Sequence, residues 1–203
     1  MVLSLCDRTG NMVKPWAEAG VQCVIVDIQH PAGETEFAKN ITAIGADIRD
    51  WMPPRESYIF TSAFPPCTHL AVSGARWFKE KGLAGLIEGL QLVESCRKIC
   101  EWTDAPWILE NPVSTLSSYW RAPDFTFHPW EYAGFMKANP DRYWKKTCIW
   151  CGGGFCMPQK NPIDPLPGKD GQKIWRMPPT EERADMRSET PLGFSYAVYD
   201  ANH

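Results

Sequence analysis

Short apolar runs alternate with polar turns along the first half of the chain. Five runs rich in β-branched residues predict strands, at residues 2–6, 21–26, 41–44, 58–64 and 106–109. Between them the pattern predicts helices, one ending at Ala19 before a terminating Gly20 and two more at Glu34–Lys39 and Lys79–Trp102. Strands that alternate with helices predict an α/β fold with a doubly wound, mostly parallel sheet.

The longest predicted helix has the apolar spacing of a helix that packs on a sheet, with positions Leu83, Leu86, Ile87, Leu90 and Val93. Beyond Pro112 the regular pattern ends, and residues 120–180 are rich in Pro, Gly and Trp, with strand-like pieces at 125–128 and 147–150. Thr180 is a plausible cap for a further helix in the segment that runs to Val198. We therefore predict a main α/β domain from residues 1–118 and 180–203, with a small irregular lobe over 119–179.

Polar residues follow the predicted strands at the points where the strands end. They are Asp7, Asp27, Asp47, Cys67 and Glu110. In a doubly wound sheet the carboxyl ends of the strands border the ligand crevice. These five side chains are therefore expected at one edge of the sheet, around a common cavity.

Cys67 and Glu110 are the candidate catalytic pair in this group. Cys67 directly follows Pro65 and Pro66, whose rings fix the backbone and so set the direction of the thiol. A thiol and a carboxyl that converge on one cavity suit covalent catalysis on an electron-poor ring. Each residue alone also fits a structural role, Cys67 as a buried thiol and Glu110 as a solvated carboxylate.

Two segments carry a resemblance to a known family. Phe64-Pro65-Pro66-Cys67 and Glu110-Asn111-Pro112 resemble, in order and spacing, two signature motifs of the DNA cytosine-5 methyltransferase family, in particular its short phage-type members. The resemblance covers residues 2–115 and, more loosely, 180–198. It implies a fold like that of S-adenosylmethionine-dependent methyltransferases, with Cys67 as the nucleophile that attacks carbon 6 of cytosine. It also implies that Glu110 binds the base and that Asn111 supports the loop.

The same resemblance implies a site for S-adenosylmethionine or a close derivative. Leu3 to Gly10 occupies the place of the donor loop, Asp27 that of the ribose-binding acid, and Asp47-Ile48 that of the adenine contact. The expected donor contacts are Leu5, Asp7, Gly10, Asp27, Ile28, Asp47, Ile48 and Pro65. Thr180-Glu181-Glu182-Arg183 resembles a later family motif, and Thr190 to Ala197 the closing segment that returns to the donor pocket.

The donor loop departs from the family pattern. It has one glycine, Gly10, where the family shows several, and Cys6-Asp7-Arg8-Thr9 is unusually polar. A cation at Arg8 or Lys14 suggests an alternative donor, a sulfonium compound that carries an additional acidic group.

The charge distribution indicates where a nucleic acid would bind. The chain has a formal net charge of −3, but residues 1–136 carry −5 and residues 137–187 carry +4. We predict DNA contacts at Lys145 and Lys146, beside the aromatic Tyr143 and Trp144, and at Arg76 and Trp77 after the nucleophile loop. The expected partner is DNA with a flipped cytosine, because carbon 6 is inaccessible within a stacked duplex. The short lobe predicts low sequence selectivity.

The eight cysteines come without an export signal or a long apolar run, so we expect reduced thiols, no membrane partner and a cytoplasmic location, in the host cell if the chain is phage-encoded. No metal is needed for the predicted chemistry, although Cys148, Cys151 and Cys156 have the spacing of a partial zinc site. Two other functions fit the sequence. One is the same chemistry on a free cytosine nucleotide, and the other is a non-catalytic DNA-binding module stabilised by zinc.

Overall fold

One seven-stranded sheet organises the residues that the computed structural model describes, 1–138, 140–172 and 187–203. Its strands are β1 (Val2–Leu5), β2 (Cys23–Ala38), β3 (Ile41–Gly45), β4 (Phe60–Ala63), β5 (Trp107–Pro112), β6 (Phe125–Phe127) and β7 (Thr147–Gly152). The α-helices are α1 (Lys14–Glu18), α2 (Phe78–Trp102), α3 (Leu116–Tyr119), α4 (Gly168–Gly171) and α5 (Leu192–Asn202). Two 3₁₀ helices span Val72–Trp77 and Pro129–Phe135. Thr180 and the 180–183 motif lie outside the described residues.

The strand order is β3-β2-β1-β4-β5-β7-β6. Strands β1, β4 and β5 and the first half of β2 run parallel, and β7 is antiparallel to β5 and β6. The prediction of an α/β fold with a mostly parallel sheet is therefore confirmed. The chain moves outward from β1 to β3 and then returns to place β4 on the other side of β1. The gap beyond β1 and β4 is thus the switch point at which such sheets bind ligands.

Both faces of the sheet are covered, because alternate residues of a strand point to opposite faces. On β1, Val2 packs in a core with Trp16 of α1 and with α5, whereas Leu3 and Leu5 pack in a second core with α2. Strand β1 is accordingly short and fully buried, as expected of a strand that is covered on both sides.

The helix predicted at Glu34–Lys39 is wrong, because these residues belong to the long strand β2. Cys23–Asp27 pairs with β3 in parallel register, the chain then bends, and Ala32–Ala38 pairs back along β3 in reverse order. Gly45 at the end of β3 accommodates the bend, since a Cβ there would lie 2.2 Å from the carbonyl oxygen of Pro31. Pairing with β3 thus overrides the local helical pattern.

Helix α2 spans the predicted long helix, with an interruption at Gly82, where φ is +61°, and it presents a different face to the sheet. Leu83 and Ile87 are exposed, by 76% and 54%, and the buried positions of its first half are Gly85 and Gly89. A Cβ at Gly89 would lie 3.0 Å from the side chain of Leu70, so the two glycines let the helix approach the loop after β4 closely. The expected burial of Leu83 and Ile87 is therefore wrong.

Residues 119–179 contribute β6 and β7 to the sheet, which confirms the strands predicted at 125–128 and 147–150. The sheet thus extends into the segment that the sequence assigns to the small lobe. No helix among the described residues is both long and apolar enough to cross a membrane.

Candidate active site

The loop after β1 is held in shape by the buried carboxylate of Asp7. One oxygen accepts hydrogen bonds from the backbone N–H groups of Thr9 (3.1 Å) and Gly10 (2.8 Å), and the other accepts from the hydroxyl of Ser4 (2.8 Å). Burial raises the pKa of this carboxyl by more than the hydrogen bonds lower it. Gly10 has a φ of +67°, which glycine adopts without strain. The loop is therefore ordered by its own contacts.

The bend within β2 lies against this loop. Asp27 accepts a hydrogen bond from the backbone N–H of Gln29 (2.8 Å), and Nη1 of Arg8 lies 3.4 Å from the side-chain oxygen of Gln29. A ring nitrogen of His30 lies 3.0 Å from the carbonyl oxygen of Asp7. The loop after β1 and the bend of β2 thus form one continuous polar wall.

The loop after β4 carries Cys67 and is anchored to both neighbouring strands. Phe64 donates its backbone N–H to the carbonyl of Leu5 on β1 (2.9 Å). Asn111 on β5 donates from Nδ2 to the carbonyl of Pro65 (3.0 Å). This hydrogen bond gives Asn111 the loop-supporting position that the sequence predicted for it.

Glu110 lies within β5, with its carboxyl group buried. Among the described residues no group donates a hydrogen bond to its Oε1. Burial raises the pKa of the Glu110 carboxyl, and the positive charge of Lys145 opposes this shift. A buried polar atom without a partner costs free energy and is uncommon in folded proteins, so this oxygen has the capacity for a further hydrogen bond.

A cavity of about 730 Å³ opens at the switch point between the ends of β1 and β4. Its wall includes Asp7 and Asp27 on one side and Cys67 on the other. The remaining wall residues are Cys6, Arg8, Thr9, Gln29, Phe64, Pro66, Thr68, Ala71, Ser73, Gly74, Arg187, Ser188 and Thr190. The volume is large enough for a ligand of nucleoside size and lies in the range of small-molecule sites.

Two cations influence the thiol of Cys67, which is half-buried. Burial raises the pKa of the Cys67 thiol; Arg187 and Lys145 lower it, and Glu110 adds to the increase. Lys145 also donates from Nζ to the carbonyl of Glu189 (3.3 Å). The cavity wall therefore carries the thiol and Arg187, whereas Glu110 and Lys145 do not line the cavity and act on the thiol through their charges.

The structure brings only part of the predicted donor set to the cavity. Asp7 and Asp27 line it. Leu5, Ile48 and Pro65 are buried in the protein, Ile28 is 68% exposed, and Gly10 lies behind the loop against Phe37. Asp47 pairs with Arg49, which lowers the pKa of its carboxyl. Thr190 lines the cavity and accepts a hydrogen bond from Asn11 through its carbonyl (3.3 Å), so the predicted closing segment does return to the donor loop.

The four predicted DNA contacts divide into two groups. Arg76 and Trp77 are exposed at the end of the 3₁₀ helix that follows the nucleophile loop. Lys145 donates a hydrogen bond to the carbonyl of Glu189, and its charge opposes the burial-driven rise in the pKa of Glu110. Lys146 is exposed. Burial lowers the pKa of His128, and the charge of Lys146 lowers it further. Tyr143 is buried and Trp144 is exposed, so only Trp144 presents a ring to solvent.

The three clustered cysteines do not converge. Cys148 and Cys151 lie on β7, three residues apart, and pack in the cores on opposite faces of the sheet. Cys156 is exposed. Within residues 1–138, 140–172 and 187–203, no three His, Cys, Asp or Glu side chains gather as metal ligands.

Sequence reasoning missed Arg187, Ser73 and Gln29 in the cavity wall. Arg187 and Ser73 are 114 residues apart in the chain and are joined by a hydrogen bond of 2.8 Å. No strand end or motif marks Arg187; the only available signal was its proximity to Thr190, in the predicted closing segment.

No protein-family model matches this chain, and no curated protein matches it. The function is therefore inferred from the residues and the geometry of this cavity.

Proposed function

We propose that this chain transfers a methyl group from S-adenosylmethionine to carbon 5 of cytosine in DNA, through a covalent adduct on Cys67. The observation that carries the proposal is the shared cavity, whose wall includes Cys67 together with Asp7, after β1, and Asp27, at the bend of β2. Doubly wound sheets bind ligands at this position, and the motif that carries Cys67 lies in the wall. Glu110, in the second motif, lies outside the wall but acts on the Cys67 thiol through its charge.

Two parts of the cavity fit the two substrates. Asp27, on the β2 side, presents a carboxylate that suits the hydroxyl groups of a ribose. Its neighbours Asp7 and Gln29 supply further polar groups on the same wall. On the opposite wall Cys67 suits attack on a planar, electron-poor base, and the buried Glu110, which influences this thiol from outside the wall, suits a hydrogen bond to the base. The methyl donor supplies an electrophilic carbon on a sulfonium and leaves as a neutral thioether.

The chain's own residues account for the activation of the base. Burial raises the pKa of the Glu110 carboxyl and so favours its protonated form, which can donate a hydrogen bond to ring nitrogen 3 of cytosine, while its other oxygen accepts from the amino group. Withdrawal of electrons at nitrogen 3 makes carbon 6 open to attack by the Cys67 thiolate. The new sulfur–carbon bond makes carbon 5 nucleophilic. After transfer, loss of the carbon 5 proton breaks that bond and restores the thiolate.

Arg8 supports a second candidate donor. Its side chain lines the same cavity as Asp7 and Asp27. A guanidinium there suits a sulfonium donor that carries an additional carboxylate, which would change the group transferred and leave the covalent chemistry as it is.

The test is the intact mass of the protein after incubation with DNA that contains 5-fluorocytosine. Fluorine replaces the carbon 5 proton whose loss completes the reaction, and it is not lost as a cation. The covalent adduct therefore accumulates. We expect an adduct with S-adenosylmethionine in the wild type and none in Cys67→Ser. An adduct that forms only with an acidic donor would support the second candidate.

Two further arms test the other functions. A free 5-fluorocytosine nucleotide replaces the DNA in one arm, and an adduct with the nucleotide but none with DNA would overturn the DNA substrate. In the other arm, zinc content is measured by mass spectrometry of the native protein. Stoichiometric zinc together with no adduct on any substrate would overturn the enzymatic proposal.

A further inference from the structure

Residues 187–190 connect the two walls of the cavity. Arg187 donates from Nη2 to the hydroxyl of Ser73 (2.8 Å), on the wall that carries Cys67. At the other end, the carbonyl of Thr190 accepts from Nδ2 of Asn11 (3.3 Å), next to the donor loop. The segment therefore contacts both the nucleophile side and the donor side.

Ser73 lies close to the nucleophile along the chain. The carbonyl of Cys67 accepts a hydrogen bond from the N–H of Ala71 (2.8 Å), and the resulting turn leads directly into the 3₁₀ helix that contains Ser73. The bond from Arg187 to Ser73 thus fixes the guanidinium at the rim of the same turn. A guanidinium stays positively charged throughout the working pH range of an enzyme.

Charged groups face Cys67 from each surrounding element, and Arg187 exerts the largest favourable effect on its thiolate. Burial raises the pKa of Cys67, Arg187 opposes the rise first, Glu110 adds to it, and Lys145 opposes it less strongly. The other charged groups nearby are Asp7, Arg8 and Asp27 across the cavity, Lys81 at the carbonyl of Thr68, and the His69–Glu88 pair.

We propose that Arg187 is a positioning residue that favours the thiolate of Cys67 when residues 187–190 span the cavity. The thiol proton passes to water, the negative charge stays on sulfur beside the guanidinium, and the thiolate electron pair then forms the bond to carbon 6. The inference rests on the proposed role of Cys67 as the nucleophile. It gives residues 187–190, which lead into the closing segment, a role in activation of the nucleophile.

The experiment measures alkylation of Cys67 by iodoacetamide as a function of pH, in the full-length protein without DNA or donor. Peptide mass spectrometry separates Cys67 from the other cysteines, and Cys67→Ser identifies its peptide. In Arg187→Gln we expect the midpoint of the profile to move to higher pH. The alkylation rate near neutral pH should fall about threefold to tenfold, because less thiolate is present.

The upper plateau of the profile separates electrostatics from structure. There the thiol is fully ionised, so the rate reports only access to the sulfur. We expect the same plateau in Arg187→Gln and the wild type, and a profile in Arg187→Lys that lies between them because the charge is kept. Arg97→Gln, which removes a guanidinium paired with Glu94 and Glu101 on α2, is the matched control and should leave the profile unchanged.

An unchanged midpoint in Arg187→Gln would overturn the inference. If that variant also bound DNA more weakly, Arg187 would instead be a phosphate contact. Since the alkylation needs neither substrate, it can succeed where the adduct test fails, and the reverse is equally possible. The two proposals are therefore tested separately.

Discussion

Two buried carboxyl groups of the candidate site are satisfied differently. In the cavity wall, both oxygens of Asp7 accept hydrogen bonds, one from Ser4 and one from the loop that it orders. On β5, outside the wall, Oε1 of Glu110 has no donor among the described residues. Both carboxyls have a raised pKa because both are buried. The difference indicates that Asp7 orders its loop, whereas Glu110 retains an acceptor oxygen that this part of the fold does not use.

Substitution of Glu110 by Gln should have the largest effect on activity. The variant lacks the acidic proton offered to ring nitrogen 3, so we expect kcat/KM to fall about 100-fold or more. The free energy of unfolding should change little at low pH, because both side chains are neutral there. Steady-state methyl transfer and urea unfolding measure the two quantities. Retained activity would show that Glu110 takes no part in the reaction. The difference in hydrogen bonding between Asp7 and Glu110 would then have no functional meaning.

The same pair of proteins gives a pH prediction. The pKa of Glu110 is higher in the folded protein than in the unfolded chain, so its contribution to stability is present at low pH and is lost as pH rises through the folded pKa. Gln carries no such charge, and we therefore expect Glu110→Gln to become more stable than the wild type as pH rises. Urea unfolding at several pH values measures the difference, and a constant difference would contradict a buried, titrating Glu110.

At Asp7 the main expected loss is in stability and not in activity. Removal of its carboxyl in Asp7→Ala leaves the backbone N–H groups of Thr9 and Gly10 without their acceptor and should destabilise the protein by about 2–4 kcal/mol. Asp7→Asn keeps one acceptor oxygen and should retain most of the stability. Thermal and urea unfolding decide the matter. Equal stability of the Ala variant and the wild type would show that the donor loop does not depend on this carboxylate.

The sequence predicted this site as far as it depends on strand ends. Asp7 and Cys67 follow the buried strands β1 and β4, and in a parallel sheet such positions share one edge. Glu110 is expected at a strand end from the sequence but lies inside β5, which continues to Pro112, and it does not line the cavity. Arg187 could not be found this way, since its hydrogen bond to Ser73 spans 114 residues and follows no strand. The sequence does not predict the strand over residues 34–38, because its local pattern is helical. The strand forms through hydrogen bonding with β3, which lies elsewhere in the chain. Gly85 and Gly89 lie against the loop after β4, an arrangement that apolar periodicity does not reveal.

Asn111 supports the loop that carries Cys67 through its hydrogen bond to the carbonyl of Pro65. Asn111→Ala removes the hydrogen bond to the carbonyl of Pro65, which is buried, so unfolding should become easier by about 1–3 kcal/mol. We expect a fall in kcat of about tenfold, because the thiol is held less precisely. Alkylation of Cys67 at high pH should be unchanged or faster. A stability loss without any change in kcat would mean that the loop keeps its position without this bond.

The smallest effect is expected at Ile28, which follows Asp27 and is 68% exposed. An exposed apolar side chain beside a carboxylate suits the face of a purine, and the resemblance places the donor there. Ile28→Ser should therefore weaken donor binding about threefold to tenfold, by loss of apolar contact, and should change the free energy of unfolding by less than about 0.5 kcal/mol. Calorimetric titration with S-adenosylmethionine measures the affinity, and Ile59→Ser, at another exposed isoleucine, is the matched control. Equal donor affinity in both variants would limit the donor wall to its polar groups. A loss of donor affinity in Ile28→Ser alone would extend the donor wall to Ile28, in the bend of β2. This apolar side chain, exposed in the structure, would then be one that the donor covers.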